Sequence, residues 1–199
     1  ALMLENGDGI PVNKEEAIKY YKMAIEKGNS SAMNNYALML DKGDGIPVNK
    51  EEAIKYYKMA IEKDNSDAMC NYALMLDKGD GIPINKEEAV KYYKMAINIG
   101  NSTAMNNYAL MLENGDGIPV NKEEAIKYYK LAIEKGNSSA MNNYARMLDK
   151  GDGIPVNKEE AIKYYKLAIE KGNSTSLNSY TYLLIKDDWI SICYNKDKI

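Results

Sequence analysis

An all-α array of helix–loop–helix units, an α/α superhelical solenoid, is the fold class the sequence predicts, and three observations predict it. The segment GDGIPVNKEEAIKYYK starts at Gly7 and recurs at Gly43, Gly115 and Gly151, with the variant GDGIPINKEEAVKYYK at Gly79. The prolines Pro11, Pro47, Pro83, Pro119 and Pro155 therefore stand 36 residues apart. Apolar residues inside each unit fall at helical spacing, and turn residues break the pattern at fixed places. A unit of this length cannot bury a hydrophobic face alone, whereas three or more stacked copies bury a continuous core.

The unit from Ser30 to Asp64 shows the elements in order. Ser30 is placed to cap a first helix, helix A, over Ser31 to Lys42. Gly43 follows where a left-handed residue ends many helices. Asp44-Gly45 continues the turn, and Gly45 tolerates positive φ. Ile46-Pro47-Val48 reads as extended chain, because the residue before proline avoids the helical region. Asn49 starts helix B, with Glu52 three residues on as its capping-box partner, and Val48 and Ala53 take the staple positions. Glu51, Glu52 and Lys63 suit the helix dipole. Gly28, Gly100, Gly136 and Gly172 close helix B in other copies. Asp64 replaces that glycine once, which predicts strain or a different turn.

On helix B, Ala53, Tyr56, Tyr57, Ala60 and Ile61 share one face, and Lys55, Lys58 and Glu62 lie opposite. Ala68, Tyr72, Ala73 and Leu76 form the stripe on helix A. The alanines permit close approach. The tyrosines fill volume and are expected to keep their hydroxyls hydrated. Met23, Met59 and Met95, with Leu131 and Leu167, form a second row, read as inter-repeat packing, with a convex-side partner or self-association as the alternative. The array is expected over residues 1–178. A divergent segment, 179–199, follows: Tyr180 to Ile185 continue a last helix A, no turn follows Lys186, and Trp189, Ile190, Ile192 and Tyr194 read as a helical cap or a tail for a partner. The chain starts inside a helical pattern, so a piece of a longer protein is expected.

Composition narrows the function. The 199 residues carry a formal charge of −3, which lacks the basic footprint of nucleic-acid binding and any pull toward anionic membranes. No apolar run is long enough to span a bilayer. There is no histidine, and the two cysteines, Cys70 and Cys193, do not recur in other copies. That leaves neither a zinc site nor a disulfide framework, and no cofactor or catalytic role is expected. The stretch Leu4 to Glu15 brushes a calcium-loop pattern with Asn6, Asp8 and Gly9, but it starts on Leu4 and contains Pro11. The Gly-Asp-Gly turns lack phosphate-loop spacing. Asn29, Asn101, Asn137 and Asn173 match the glycan acceptor pattern, and turn-and-cap chemistry is the preferred account of them. An intracellular, cytoplasmic setting is expected, with the ER lumen as the alternative.

The candidate binding surface is the polar side of helix A. Asn34, Asn35 and Leu38 are placed there, with Cys70, Asn71 and Leu74, then Asn106, Asn107 and Leu110, then Asn142, Asn143 and Arg146 as equivalents. Amide side chains carry donor and acceptor together and suit a peptide backbone, while leucines beside them suit an apolar anchor. Cys70 and Arg146 are the copy-specific residues.

Ala32, Tyr36-Ala37, Gly43, Gly45-Ile46, Ala53, Tyr56-Tyr57 and Ala60-Ile61 resemble the Sel-1-like repeat, a relative of the tetratricopeptide repeat. Tyr36-Ala37 stands where that family favours Leu-Gly, and Met59 where it often has Lys. The resemblance implies a right-handed solenoid whose A helices line a concave groove. It implies an adaptor for proteins or peptides in multiprotein complexes, as in ER-associated degradation or signalling. A structural segment of a larger protein is the rival reading. A hydrolase of the cysteine-rich bacterial branch fits poorly, because paired cysteines are missing.

Overall fold

The computed structural model describes the backbone of residues 1–6 and 11–196, and their side chains through residue 185. The described residues form helices joined by turns: α1 (Leu2–Asn6), α2 (Lys14–Glu26), α3 (Ser30–Lys42), α4 (Lys50–Ile61), α5 (Ser66–Lys78), α6 (Lys86–Asn98), α7 (Ser102–Asn114), α8 (Lys122–Glu134), α9 (Ser138–Lys150), α10 (Lys158–Glu170) and α11 (Ser174–Lys196). Odd numbers are A helices and even numbers B helices. Two compact units divide the chain, Ala1–Ala104 and Met105–Ile199. In the first, α3 packs on α4 and α5 on α6, and the repeats join through α2 on α3 and α4 on α5. In the second, α9 packs on α10, with α8 on α9 and α10 on α11. Among the described residues no helix is long and apolar enough to cross a membrane.

The repeat follows from its local chemistry. The N–H groups of Gly79 and Asp80 both donate to the Met75 carbonyl, at 2.9 and 3.1 Å, and Gly79 sits at φ 71°. This left-handed end satisfies the Met75 carbonyl twice over, in the last turn of the helix, where carbonyls run out of helical partners. The extended segment then runs back along helix A, and the N–H of Asn49 donates to the Leu40 carbonyl at 2.9 Å. The Asn49 carboxamide oxygen accepts from the N–H of Glu52 at 3.0 Å, and its Nδ2 donates to the Glu52 carboxylate at 3.2 Å. The predicted box thus forms in altered shape. The backbone N–H that a glutamate usually satisfies is spent tethering the loop to helix A.

Two local expectations are corrected, the cap of helix A and the setting of the second tyrosine. The cap of helix A is Asn29, not Ser30: Asn29 is extended and accepts from the Ala32 N–H at 2.8 Å, and the helix starts at Ser30. Asn101, Asn137 and Asn173 cap in the same way. From the residue ahead of the helix, the longer carboxamide reaches the third helical N–H. Val48 is 58% exposed and lies over Gly43, where an added Cβ would come within 2.7 Å of its Cγ2. The second tyrosine of each pair is buried rather than hydrated: Tyr57 and Tyr93 are 1% exposed, and Tyr129 is fully buried. The first tyrosine is half-buried at Tyr56, Tyr92, Tyr128 and Tyr164 and exposed at Tyr20; Tyr56 meets Tyr36 edge-on at 5.0 Å, and Lys22 of the preceding repeat lies 5.4 Å over the Tyr36 ring. Asp64 adopts φ 56°, the left-handed strain its position predicts.

Much of the core is methionine. Met33, Met39, Met69, Met75, Met105, Met111, Met141 and Met147 are all buried, and their flexible side chains fill space between small alanines. In the second row, Met23 is 45% exposed, and Met59, Met95, Leu131 and Leu167 are half-buried. The first turn predicted near Gly7 and Gly9, with the Leu4 to Glu15 loop that contains it, extends outside the described residues. So do the side chains of Trp189, Ile190, Ile192 and Tyr194, and Cys193.

Candidate functional site

Burial of helix A leaves one narrow stripe outward. In α3 the residues at Ala32, Met33, Asn34, Tyr36, Ala37, Met39, Leu40 and Asp41 are buried, and Ser31, Asn35, Leu38 and Lys42 are not. The spacing 4, 3, 4 puts those last four on one line along the helix. The same line in α5 is Asp67, Asn71, Leu74 and Lys78, and in α9 it is Ser139, Asn143, Arg146 and Lys150.

The predicted site residues therefore separate. Asn35, Leu38, Asn71, Asn107, Asn143 and Arg146 are half-buried, and Leu74 and Leu110 are 39% and 36% exposed. Asn34, Cys70, Asn106 and Asn142 are buried, which corrects the solvent-facing placement given to them. Asn34, Asn106 and Asn142 turn toward a neighbouring A helix. In the first unit Asn71 Nδ2 donates to Asn34 Oδ1 at 3.0 Å. In the second unit Asn143 Nδ2 donates to Asn106 Oδ1 at 3.0 Å, and Ser176 Oγ to Asn142 Oδ1 at 3.0 Å. Buried amides require such partners, and here they fix how successive A helices stack. Burial pushes the Cys70 thiol up to about 12, with the Asp67 charge adding to the shift.

Between α3 and α5 lies a cleft of about 340 Å³, lined by Leu38, Asp41, Lys42, Tyr57, Asn71, Leu74, Met75, Lys78 and Asp80. Three predicted residues, Leu38, Asn71 and Leu74, meet there. The charged wall was not foreseen. Lys50 donates to Asp41 at 2.6 Å and to Asp80 at 2.7 Å, and Lys42 reaches Asp41 at 2.9 Å. Burial alone would raise the Asp41 carboxyl, but Lys50 and Lys42 outweigh it and hold the group below the usual carboxylate range. Asp77 is held down in the same way by Lys86 and Lys78. Burial, and then the Asp41 charge, push the Tyr57 phenol far up.

Lys50 belongs to helix B of one repeat and Asp80 to the turn of the next, so this ion pair joins repeats. Lys14 pairs with Asp44 and Lys122 with Asp152 by the same logic. The second glycine of these turns presses on that lysine: a Cβ on Gly45 would sit 2.6 Å from Lys14 Cβ, on Gly81 2.4 Å from Lys50 Cβ, and on Gly153 2.5 Å from Lys122 Cβ. The Gly-Asp-Gly motif is thus an inter-repeat joint. One glycine ends helix A, the aspartate takes the lysine, and the second glycine admits its stem.

The second unit varies the cleft residues. Glu113 stands where Asp41 does, Asn114 where Lys42 does, and Arg146 where Leu74 does. Arg146 donates to both Glu113 oxygens at 2.6 and 2.8 Å, and the Tyr129 hydroxyl donates to Glu113 at 2.8 Å. Glu113 is 5% exposed. Burial would lower the Arg146 guanidinium, and the Glu113 carboxylate more than offsets that.

Comparison with known proteins places these features. The Sel1 repeat family model matches residues 1–29, 30–65, 66–101, 102–137 and 138–173. A Sel1 repeat protein from Oxalobacter formigenes is similar in structure, with a TM-score of 0.81 and 28% identity over 89% of this chain and 73% of that one. So is c5321, a protective antigen of uropathogenic Escherichia coli with an SLR fold, at 0.75 and 25% identity. That match covers 94% of this chain and 40% of the antigen. Helicobacter pylori cysteine rich protein B shares the fold at 0.52 and 22% identity, over 66% of this chain and 96% of that one. No curated protein matches the chain.

Proposed function

The chain belongs to the Sel1 repeat family, and from that premise we propose that it is a protein-interaction scaffold that works through the outward stripe of its A helices, without bond chemistry. Sel1 repeat proteins generally bind other proteins and are generally non-catalytic. The observation that carries the reading here is the cleft between α3 and α5, where Leu38, Asn71 and Leu74 converge on one opening. Apolar side chains beside half-buried amides suit a peptide, which needs both contact area and hydrogen-bond partners. The proposed partners are proteins or peptides in a multiprotein complex, of which ER-associated degradation and signalling assemblies are the examples the family suggests.

A photo-reactive phenylalanine derivative placed at Leu74, or at Lys55 on the outer face of α4, tests this. The reading expects a partner adduct from position 74 and none from position 55. Adducts from position 55 alone would move the binding surface off the A helices.

A further inference from the structure

The two units carry the same site in two chemical forms. In the first unit, the cleft residues Leu38, Leu74 and Met75 are apolar, and its carboxylates are already matched. Asp41 is held by Lys42 and Lys50, and Asp80 by Lys50. A charged side chain entering there would find no unmatched countercharge and would lose hydration. The occupant that fits is an uncharged aliphatic side chain of a partner polypeptide.

In the second unit, three substitutions come together. Asp becomes Glu at 113, the adjacent Lys becomes Asn at 114, and the outward Leu becomes Arg at 146. The first two lengthen the carboxylate and remove the lysine beside it in sequence. The third supplies a cation, and Arg146 reaches Glu113 at 2.6 and 2.8 Å, the two residues standing where Leu74 and Asp41 line the first unit's cleft. Charge balance is kept while an apolar wall is replaced by an ion pair. Removing the guanidinium alone would leave Glu113 buried without its cation, so Arg146 and Glu113 act as a pair.

We propose that Arg146 closes the second unit's counterpart of the cleft, so that an aliphatic anchor of a partner is taken at Leu38, Leu74 and Met75 and refused at the equivalent place. This rests on the scaffold reading above. It adds that position 146 decides which copy of the site is open.

The test uses the full chain with isotope-labelled methionine methyls, titrated with N-acetyl-leucine methylamide. Met75 lines the open cleft, and Met147 is its counterpart. Two reciprocal variants accompany the wild type: Glu113→Asp/Asn114→Lys/Arg146→Leu rebuilds the first unit's composition in the second, and Asp41→Glu/Lys42→Asn/Leu74→Arg does the reverse. In the wild type, the Met75 methyl should shift saturably, with apparent affinity at least about tenfold above that at Met147. The first variant should bring Met147 to within about threefold of Met75, and the second should abolish the Met75 response. Equal responses of Met75 and Met147 in the wild type would overturn closure by Arg146. A folded first variant with a silent Met147, or a folded second variant with an unchanged Met75, would do so too. A silent Met75 in the wild type would remove the aliphatic cleft itself, and this inference with it.

Discussion

Replacing Gly153 by alanine separates the two duties assigned to the second glycine of the turn. Gly153 has φ 71°, and an L-residue held in the left-handed region costs about 1–2 kcal/mol. The new Cβ would also stand 2.5 Å from Lys122 Cβ and 3.3 Å from its Cδ. The near atom is at the root of the lysine, so rotating the far end of the side chain does not relieve it. Such overpacking adds about 1–3 kcal/mol. Gly172 is the internal control: it has φ 81° with nothing within 4 Å of an added Cβ. Gly172→Ala should cost only the backbone part, about 1–2 kcal/mol, and Gly153→Ala roughly 2–5 kcal/mol. Urea denaturation of each variant, followed by circular dichroism at 222 nm, reads the difference. Equal losses would show that the close approach to Lys122 does not hold the joint.

Other outcomes follow from the same geometry. Asn85→Ala removes the acceptor for the Glu88 N–H, a 3.0 Å bond, and should cost about 1 kcal/mol in the same denaturation assay. Asp41 and Asp77 are held below the usual carboxylate range when folded. Their stabilisation is therefore complete above the unfolded value, about 3.9, and drains away as pH falls through the lower folded values. Melting temperatures between pH 6 and pH 2 should fall at the acid end, and Asp41→Asn/Asp77→Asn should flatten that fall. The Cys70 thiol, buried and pushed up to about 12, should resist iodoacetamide at pH 8 and react once urea unfolds the chain, as read by mass spectrometry of the Cys70 peptide.

Most of the repeat was legible because its signals are local. The Asn49 cap, the left-handed Gly43 and the strained Asp64 each depend on a few adjacent residues. The helix A cap was misplaced by one residue because Asn29 and Ser30 are both good caps, and only geometry chooses between them. The inter-repeat chemistry was hidden for a different reason. Lys50 reads as a solvated lysine in a first helical turn, yet its partner Asp80 lies 30 residues away in the next copy. Periodicity inside one unit says nothing about how copies touch. Asn34 was placed outward on the same ground, although a signal for its burial existed. The apolar and small residues of α3 nearly encircle the helix, and the stripe left over passes through Asn35 and Leu38 rather than Asn34. Leu38, Asn71 and Leu74 lie on that face, while Asp41 comes from the buried side of α3, and Tyr57 and Asp80 come from α4 and the turn after α5.

The claim that the A-helix stripe is the binding surface rests most directly on Leu74. Leu74 is 39% exposed, so the guanidinium of Leu74→Arg can stay in water without entering the core. Exchanging asparagines instead would break the Asn71–Asn34 bond and confuse folding with binding. The measurement is quantitative recovery of a cross-linked partner by the wild type, by Leu74→Arg and by Lys55→Glu, with helicity checked by circular dichroism. Loss of at least about tenfold in affinity for Leu74→Arg, with Lys55→Glu unchanged, is the predicted result. Wild-type recovery by a folded Leu74→Arg chain would contradict the account.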